Sequence, residues 1–92
     1  MEKITNKTIA CVVGYNIKRI RTEHKLTAFE TAKILGVDEI YLTSIEAGAV
    51  FCTIIDTINF MSAFSIKFEE LLKHYEALSK IYEKQPDEEK VA

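Results

Sequence analysis

The stretch TAFETAKILGVDEIYLTSIEAG, residues 27–48, constrains this chain more than any other. Thr27 is followed three residues later by Glu30, the pattern of a capping box, and Leu26 stands where a hydrophobic staple would precede it. The pattern predicts a helix from Ala28 to about Leu35. Gly36 falls where a helix terminus requires a positive φ, and Val37 is the apolar residue of the turn. Asp38 is a capping residue that opens a further helix from Glu39 to about Ala47, with Leu42 and Ile45 inward and Gly48 closing it. Only LGVD links the two helices. A link that short forces them to cross sharply, so the remaining chain must bury the inward faces of both.

The remaining chain has the means. Ile9, Val13, Ile17 and Ile20 are spaced by four, four and three, which is one stripe of a helix from Thr8 to about His24. Thr53 caps a fourth helix whose apolar load is Ile54, Ile58, Phe60, Met61 and Phe64. A fifth begins near Lys67 or Phe68 and carries Leu71, Leu72, Tyr75, Leu78, Ile81 and Tyr82 as far as Lys84, before Pro86 stops it. The fold expected is all-α: a compact five-helix bundle containing a helix-turn-helix, with an extended C-terminal helix. Residues 8–84 form one domain, and 1–7 and 85–92 are flexible polar termini. The predicted core is Ile17, Ile20, Ala32, Leu35, Val37, Leu42, Ile45, Ile58 and Phe64. Ninety-two residues, nearly half apolar, suffice for such a bundle without metal or disulfide.

Little else in the sequence points to chemistry. Cys11 and Cys52 lie in apolar surroundings without a CxxC partner, so both are expected reduced and buried, although pairing is open. His24 and His74 are not at metal-finger spacing from them, so no metal site is expected. No glycine-rich phosphate loop and no activated nucleophile occur, so neither a cofactor nor an active site is expected. The N-terminal residues lack the apolar run of a signal peptide, and no run reaches membrane-spanning length; the expected location is cytoplasmic. The net charge of −2 speaks mildly against a dedicated nucleic-acid binder.

Taken in order, Gly14, Ile17 and Arg21, then Leu26–Thr27, then Ala32, Leu35, Gly36 and Val37, then Leu42, Ile45, Glu46 and Gly48, then Phe60, Ala63, Phe64 and FEELL, form a set that resembles one family. It is the Cro/C1-type (XRE-type) helix-turn-helix domain of phage repressors and bacterial regulators, a lambda-repressor-like fold. The likeness runs from Val13 to Leu72. It implies transcriptional or mobile-element regulation by a homodimer on a two-fold site in double-stranded DNA, with the third helix in the major groove. It implies that Thr27 and Ala28, at the start of the second helix, approach a phosphate. It also implies a structural ion pair between Arg21 and Glu46.

On that reading the DNA-binding candidates are Lys18, Lys25, Thr27, Ala28, Lys33, Glu39, Tyr41, Thr43 and Ser44. Arg19 and His24 add positive charge around the first helix. The sequence departs from the family at the same surface. Ala28 replaces a usual Gln, and AVFC follows Gly48 where basic residues and a proline are usual. Ile55 replaces a polar residue, and no Lys or Arg lies between Lys33 and Lys67. Asp38 and Glu39 would face a polyanion. These departures support an alternative: a protein-binding antirepressor or inhibitor on the same fold, using Ile40, Tyr41, Val50, Phe51 and Ile55. Val50 and Phe51 have a second role open to them, folding back to fill their own loop. The stripe Leu71, Tyr75, Leu78 and Tyr82 suits helix pairing, so Tyr75, Leu78 and Tyr82 are candidate dimerisation residues; lying back over the first helix is the other use for them.

Overall fold

The computed structural model describes residues 6–83, and among them every regular element is a helix. Five have eight residues or more: α1 (Asn6–Glu23), α2 (Ala28–Leu35), α3 (Glu39–Glu46), α4 (Ile54–Phe64) and, last in the chain, α6 (Tyr75–Glu83). A single turn, α5 (Phe68–Leu71), lies between the last two. Residues 84–92, with the predicted tail, and residues 1–5 lie outside the described residues. Asn6 and Lys7, expected in the flexible N-terminal segment, already belong to α1.

The caps that predicted the helix starts are present as atoms. The Thr27 hydroxyl accepts from the Glu30 amide at 3.0 Å, and the Glu30 carboxylate accepts from the Thr27 amide at 2.8 Å. Asp38 accepts from the Ile40 amide at 2.7 Å, and Thr53 from the Asp56 amide at 3.1 Å. The helix ends are less plainly written. Gly36 and Gly48 adopt the left-handed conformation that closes α2 and α3, with φ of 70° and 77°. Lys25 and Ser65 do the same for α1 and α4 without the freedom of glycine, at φ 58° and 53°. At Lys25 its own amide reaches the Thr22 carbonyl at 2.9 Å and the Leu26 amide reaches Arg21 at 3.1 Å, the paired bonds of a Schellman end.

α1 is the axis of the molecule. It packs against α3, α5 and α6, while α2 packs against α3 and α4. Val12, Asn16 and Ile17 on α1 are almost wholly buried, as are Ala32, Leu42, Ile45, Phe60 and Leu71 around it. Leu35 and Val37 are half-buried against the same core. α1 and α3 approach closely because Gly14 has no side chain: a Cβ there would run into the Ile45 carbonyl oxygen. A Cβ on Gly48 would come within 2.6 Å of the Cys11 sulfur. Both cysteines are buried free thiols. The radius of gyration is 13.5 Å, and no described helix is long and apolar enough to cross a membrane.

Two expectations fail. Ile58 is 57% exposed and is not in the core. α4 has apolar residues all round, and Phe60 and Phe64, one turn apart with ring centroids at 4.5 Å, take its inward face. Ile58 lies two positions from Phe60, about 200° round the helix, and so points away.

The second failure is the single extended C-terminal helix. The chain breaks at Leu72–His74, where His74 has φ 64°, and α6 turns back onto α1. No Gly or Pro marks this break. Its cause is Asn16, fully buried on α1, whose side-chain amide donates to the Leu71 and Lys73 carbonyls at 2.8 and 2.9 Å. In an unbroken helix those carbonyls would accept from Tyr75 and Ala77. Arg19 fixes the Asn16 amide by donating to its oxygen at 3.0 Å, and reaches the Glu70 carbonyl at 3.2 Å. Tyr75, Leu78 and Tyr82 are half-buried, and α6 lies against α1. Burial pushes the Tyr82 hydroxyl pKa up, with Cys11 and Tyr15 nearby. Of the two uses the sequence left open for this stripe, the structure shows the return over α1.

Candidate functional site

The surface to which the sequence assigned function is made by the start of α2, the outer side of α3, the loop 47–53 and the start of α4. α3 is held firmly behind that surface. Arg21 donates from Nε to Glu46 Oε2 at 2.7 Å and from Nη2 to Oε1 at 2.9 Å, a two-point grip, while Nη1 reaches the Leu26 carbonyl at 3.0 Å. The Arg21 and Glu46 side chains are only 11% and 5% exposed. The hydrogen bonds to Glu46 raise the Arg21 pKa further, against the opposing effect of burial. Across the other side, the Tyr41 hydroxyl donates to Asp56 Oδ2 at 2.9 Å, which ties the first turn of α3 to the first turn of α4. Burial, then the Asp56 carboxylate, raises the Tyr41 pKa, so the hydroxyl stays protonated and donating.

With α3 fixed from both sides, Glu39, Ile40, Thr43 and Ala47 are exposed and Ser44 is half-buried. Thr43 donates to the Ile40 carbonyl at 3.0 Å, which leaves its oxygen free to accept. Tyr41 is half-buried, with its hydroxyl committed to Asp56, so it supports the surface more than it faces outward. Asp38 is spent on the cap of α3.

At α2 the capping box uses the Thr27 and Glu30 amides and places the Glu30 carboxylate on the helix N-terminus. The Thr27 amide first, and then the Thr27 hydroxyl, lower the Glu30 pKa. An incoming phosphate would meet that charge, and only the Ala28 and Phe29 amides of the first turn remain for it. Ala28 itself is half-buried against the core.

The positive charges divide. Lys18, Lys25 and Lys33 are exposed, and none forms an ion pair with another described residue. Lys33 lies over the Phe29 ring at 5.4 Å. Arg19, by contrast, is consumed by Asn16, Glu23 and Glu70. His24 turns the edge of its ring to Phe64 at 4.9 Å and its Nδ1 meets the Ile20 carbonyl at 2.8 Å.

The loop does not close on its own apolar residues. Cys52 fills it instead; it is buried, and burial pushes its thiol pKa up. Val50 and Phe51 stay 39% and 49% exposed, and line an open groove of about 350 Å³ with Asn6, Lys7, Ala10, Gly48 and Ala49. Ile40, Ile54 and Ile55 are barer still, at 75%, 78% and 71%. Of the two roles open to Val50 and Phe51, the structure shows the exposed one; Ile40 and Ile55 are exposed as the alternative reading expects, whereas Ile58, expected in the core, is outside it. The sequence reading missed Asn16 entirely: an Asn on a helix carries no signal of the carbonyls it will meet. Among the described residues no three His, Cys, Asp or Glu side chains converge as metal ligands. No protein-family model matches the chain, and neither does any curated protein.

Proposed function

We propose that this chain is a small helix-turn-helix regulator of the lambda-repressor-like kind, binding duplex DNA as a dimer with α3 in the major groove. The observation that carries the reading is α3 itself: a two-turn helix clamped by Arg21–Glu46 and Tyr41–Asp56 and presenting Glu39, Ile40 and Thr43 outward. These side chains have definite complements on base edges. Ile40 suits the thymine methyl group, Glu39 can accept from the cytosine amino group, and Thr43 and Ser44 suit either a base or a phosphate. Lys18, Lys25 and Lys33 supply the backbone contacts. Three cations per subunit give a shallow dependence on salt, since each neutralised phosphate contributes a log–log slope of about −0.9.

The test is fluorescence anisotropy against duplexes from the gene's own neighbourhood, at low and moderate salt. Thr43→Ala and Ser44→Ala should narrow the gap between specific and random duplex. Lys18→Ala, Lys25→Ala and Lys33→Ala should weaken binding to every duplex and flatten the salt slope.

A second reading has its own observation, the bare apolar side chains Ile40, Val50, Phe51 and Ile55, all within a stretch that holds no Lys or Arg between Lys33 and Lys67. On that reading the chain is an antirepressor or inhibitor that binds a protein. A folded sample that binds no duplex at low salt, and loses a protein partner on Ile40→Ser or Phe51→Ser, would replace the first reading with the second.

A further inference from the structure

α4 has an outer face on which no described residue packs. Ile54, Ile55, Ile58, Asn59, Ser62 and Ala63 are all exposed, at spacings that form two adjacent rows along the helix: Ile54, Ile58 and Ser62, and beside it Ile55, Asn59 and Ala63. Ile54, Ile55 and Ile58 are 78%, 71% and 57% exposed. Isolated exposed isoleucines are ordinary, whereas three on one face are an interaction surface. The one charged residue of α4, Asp56, is half-buried and tied to Tyr41, so the outer face carries no charge.

We infer that this face is a homodimer interface, with α4 of one subunit crossing α4 of a second copy in antiparallel fashion about a two-fold axis near Ile58. Three observations select a second copy as occupant. First, a two-fold contact sets the same patch against itself, which an uncharged face permits and a charged one opposes. Second, both rows taper from isoleucine at the start of α4 to Ser62 and Ala63 at its end. An antiparallel copy sets the bulky end of each helix against the small end of the other, the large-to-small match that close packing needs. Third, the stripe on α6 that suited pairing is turned onto α1. α4 is short, so its six outer residues form the centre of the interface. The inference places the two-fold of the DNA-binding reading, yet its test contains no DNA, so the two can fail separately.

Sedimentation equilibrium of the full chain should show a concentration-dependent monomer–dimer equilibrium. Ile58→Glu, which sets two carboxylates at the axis, should weaken it by roughly thirtyfold or more, as loss of a central apolar anchor does. Ile81→Glu, on the exposed side of α6 and 56% exposed, should leave it unchanged. The register has its own check. Ile54→Glu and Ser62→Lys should each weaken dimerisation, and the double variant should recover it, because each glutamate then meets the lysine of the other copy. Within one chain the two lie two turns apart, too far to pair. If the Glu variants fail to fold, Ile58→Cys, a smaller change, should form an intersubunit disulfide under mild oxidation. A wild-type monomer at every reachable concentration overturns the inference, including one that captures an amphipathic helix of another protein. So does a dimer indifferent to Ile58→Glu, or one that Ile81→Glu abolishes.

Discussion

α1 holds two neighbours by opposite means. Towards α3 it offers an absence: Gly14 lets the Ile45 carbonyl come close, Gly48 does the same for Cys11, and the Arg21–Glu46 pair locks the contact from its edge. Towards α5 and α6 it offers one group, the buried Asn16 amide steadied by Arg19, which takes the backbone carbonyls of a broken helix. The first joint is distributed over shape and charge. The second is concentrated in a single side chain. The difference predicts how each fails: the α3 joint yields most to added volume and next to the loss of its ion pair, whereas the α6 joint yields locally to the loss of one amide.

Added volume at the first joint should have the largest effect. Gly14→Ala puts a Cβ against backbone, which cannot rotate aside, with the Glu46 carbonyl oxygen also only 3.0 Å away. The expected loss is about 3 kcal/mol or more, the upper end for overpacking and a large part of a small domain's stability, read from urea denaturation. A loss under about 1 kcal/mol would mean that α1 and α3 separate easily, which would erase the contrast.

Breaking the ion pair comes next. Arg21→Ala leaves Glu46 buried without its partner, a cost of about 2–3 kcal/mol for a pair that still touches solvent at one edge. Glu46→Ala should cost a similar amount, and the double variant less than the sum, since the second removal relieves the first. Strict additivity in denaturation would show that the two residues act independently.

The second joint should cost less overall and move more locally. Asn16→Leu keeps the volume and removes the amide, leaving the buried Leu71 carbonyl and the partly buried Lys73 carbonyl without their donor, for about 2 kcal/mol. Amide exchange should quicken throughout α6 and stay unchanged in α2 and α3. Equal acceleration in all helices would show that α6 is part of one cooperative unit with the rest.

The smallest effect belongs to a site outside both joints and calibrates them. Glu30 has a lowered pKa because its ionised carboxylate accepts from Thr27. The folded chain thus holds that proton less tightly than the unfolded chain. The stabilisation is present in full above the ordinary glutamate value of 4.5, and is lost as pH falls through the lower folded value. Acidification from neutrality should loosen the first turn of α2 in the wild type. In Glu30→Gln that pH dependence should disappear, with amide exchange at Phe29–Thr31 as the readout.

The same contrast explains what the sequence made legible. Three helix starts carried their signal locally: Thr27 with Glu30, Asp38 and Thr53 cap within three residues of themselves, so their spacing shows their role. The Arg21–Glu46 pair was reached through the resemblance, and its geometry agrees with that expectation. Glycine marked the ends of α2 and α3, and the end of α1, expected near His24, falls at Glu23; the left-handed backbone of Lys25, Ser65 and His74 is announced by nothing in their identity. The break before α6 was invisible because its cause lies fifty-five residues upstream, in an amide that meets backbone common to every residue type. At the candidate surface, outward Ile40 and Ile55 followed from their place in the pattern, whereas the sequence left Val50 and Phe51 open between exposure and filling their loop. α4 defeated periodicity because it is apolar on both faces: Phe64 fills the core as expected and Phe60 with it, while Ile58 points out.

The contact between Gly48 and Cys11 gives the protein an internal reporter. Burial pushes the Cys11 pKa up, Lys7 offsetting only part of this, so at neutral pH the thiol is protonated and shielded. An alkylating reagent reacts with the exposed thiolate, so modification must wait until α1 parts from the end of α3. In a Cys52→Ser chain, where Cys11 is the sole sulfhydryl, the labelling rate would measure how often that opening occurs. Compared with global unfolding, it would show whether the α1–α3 joint breathes on its own or only when the whole domain comes apart.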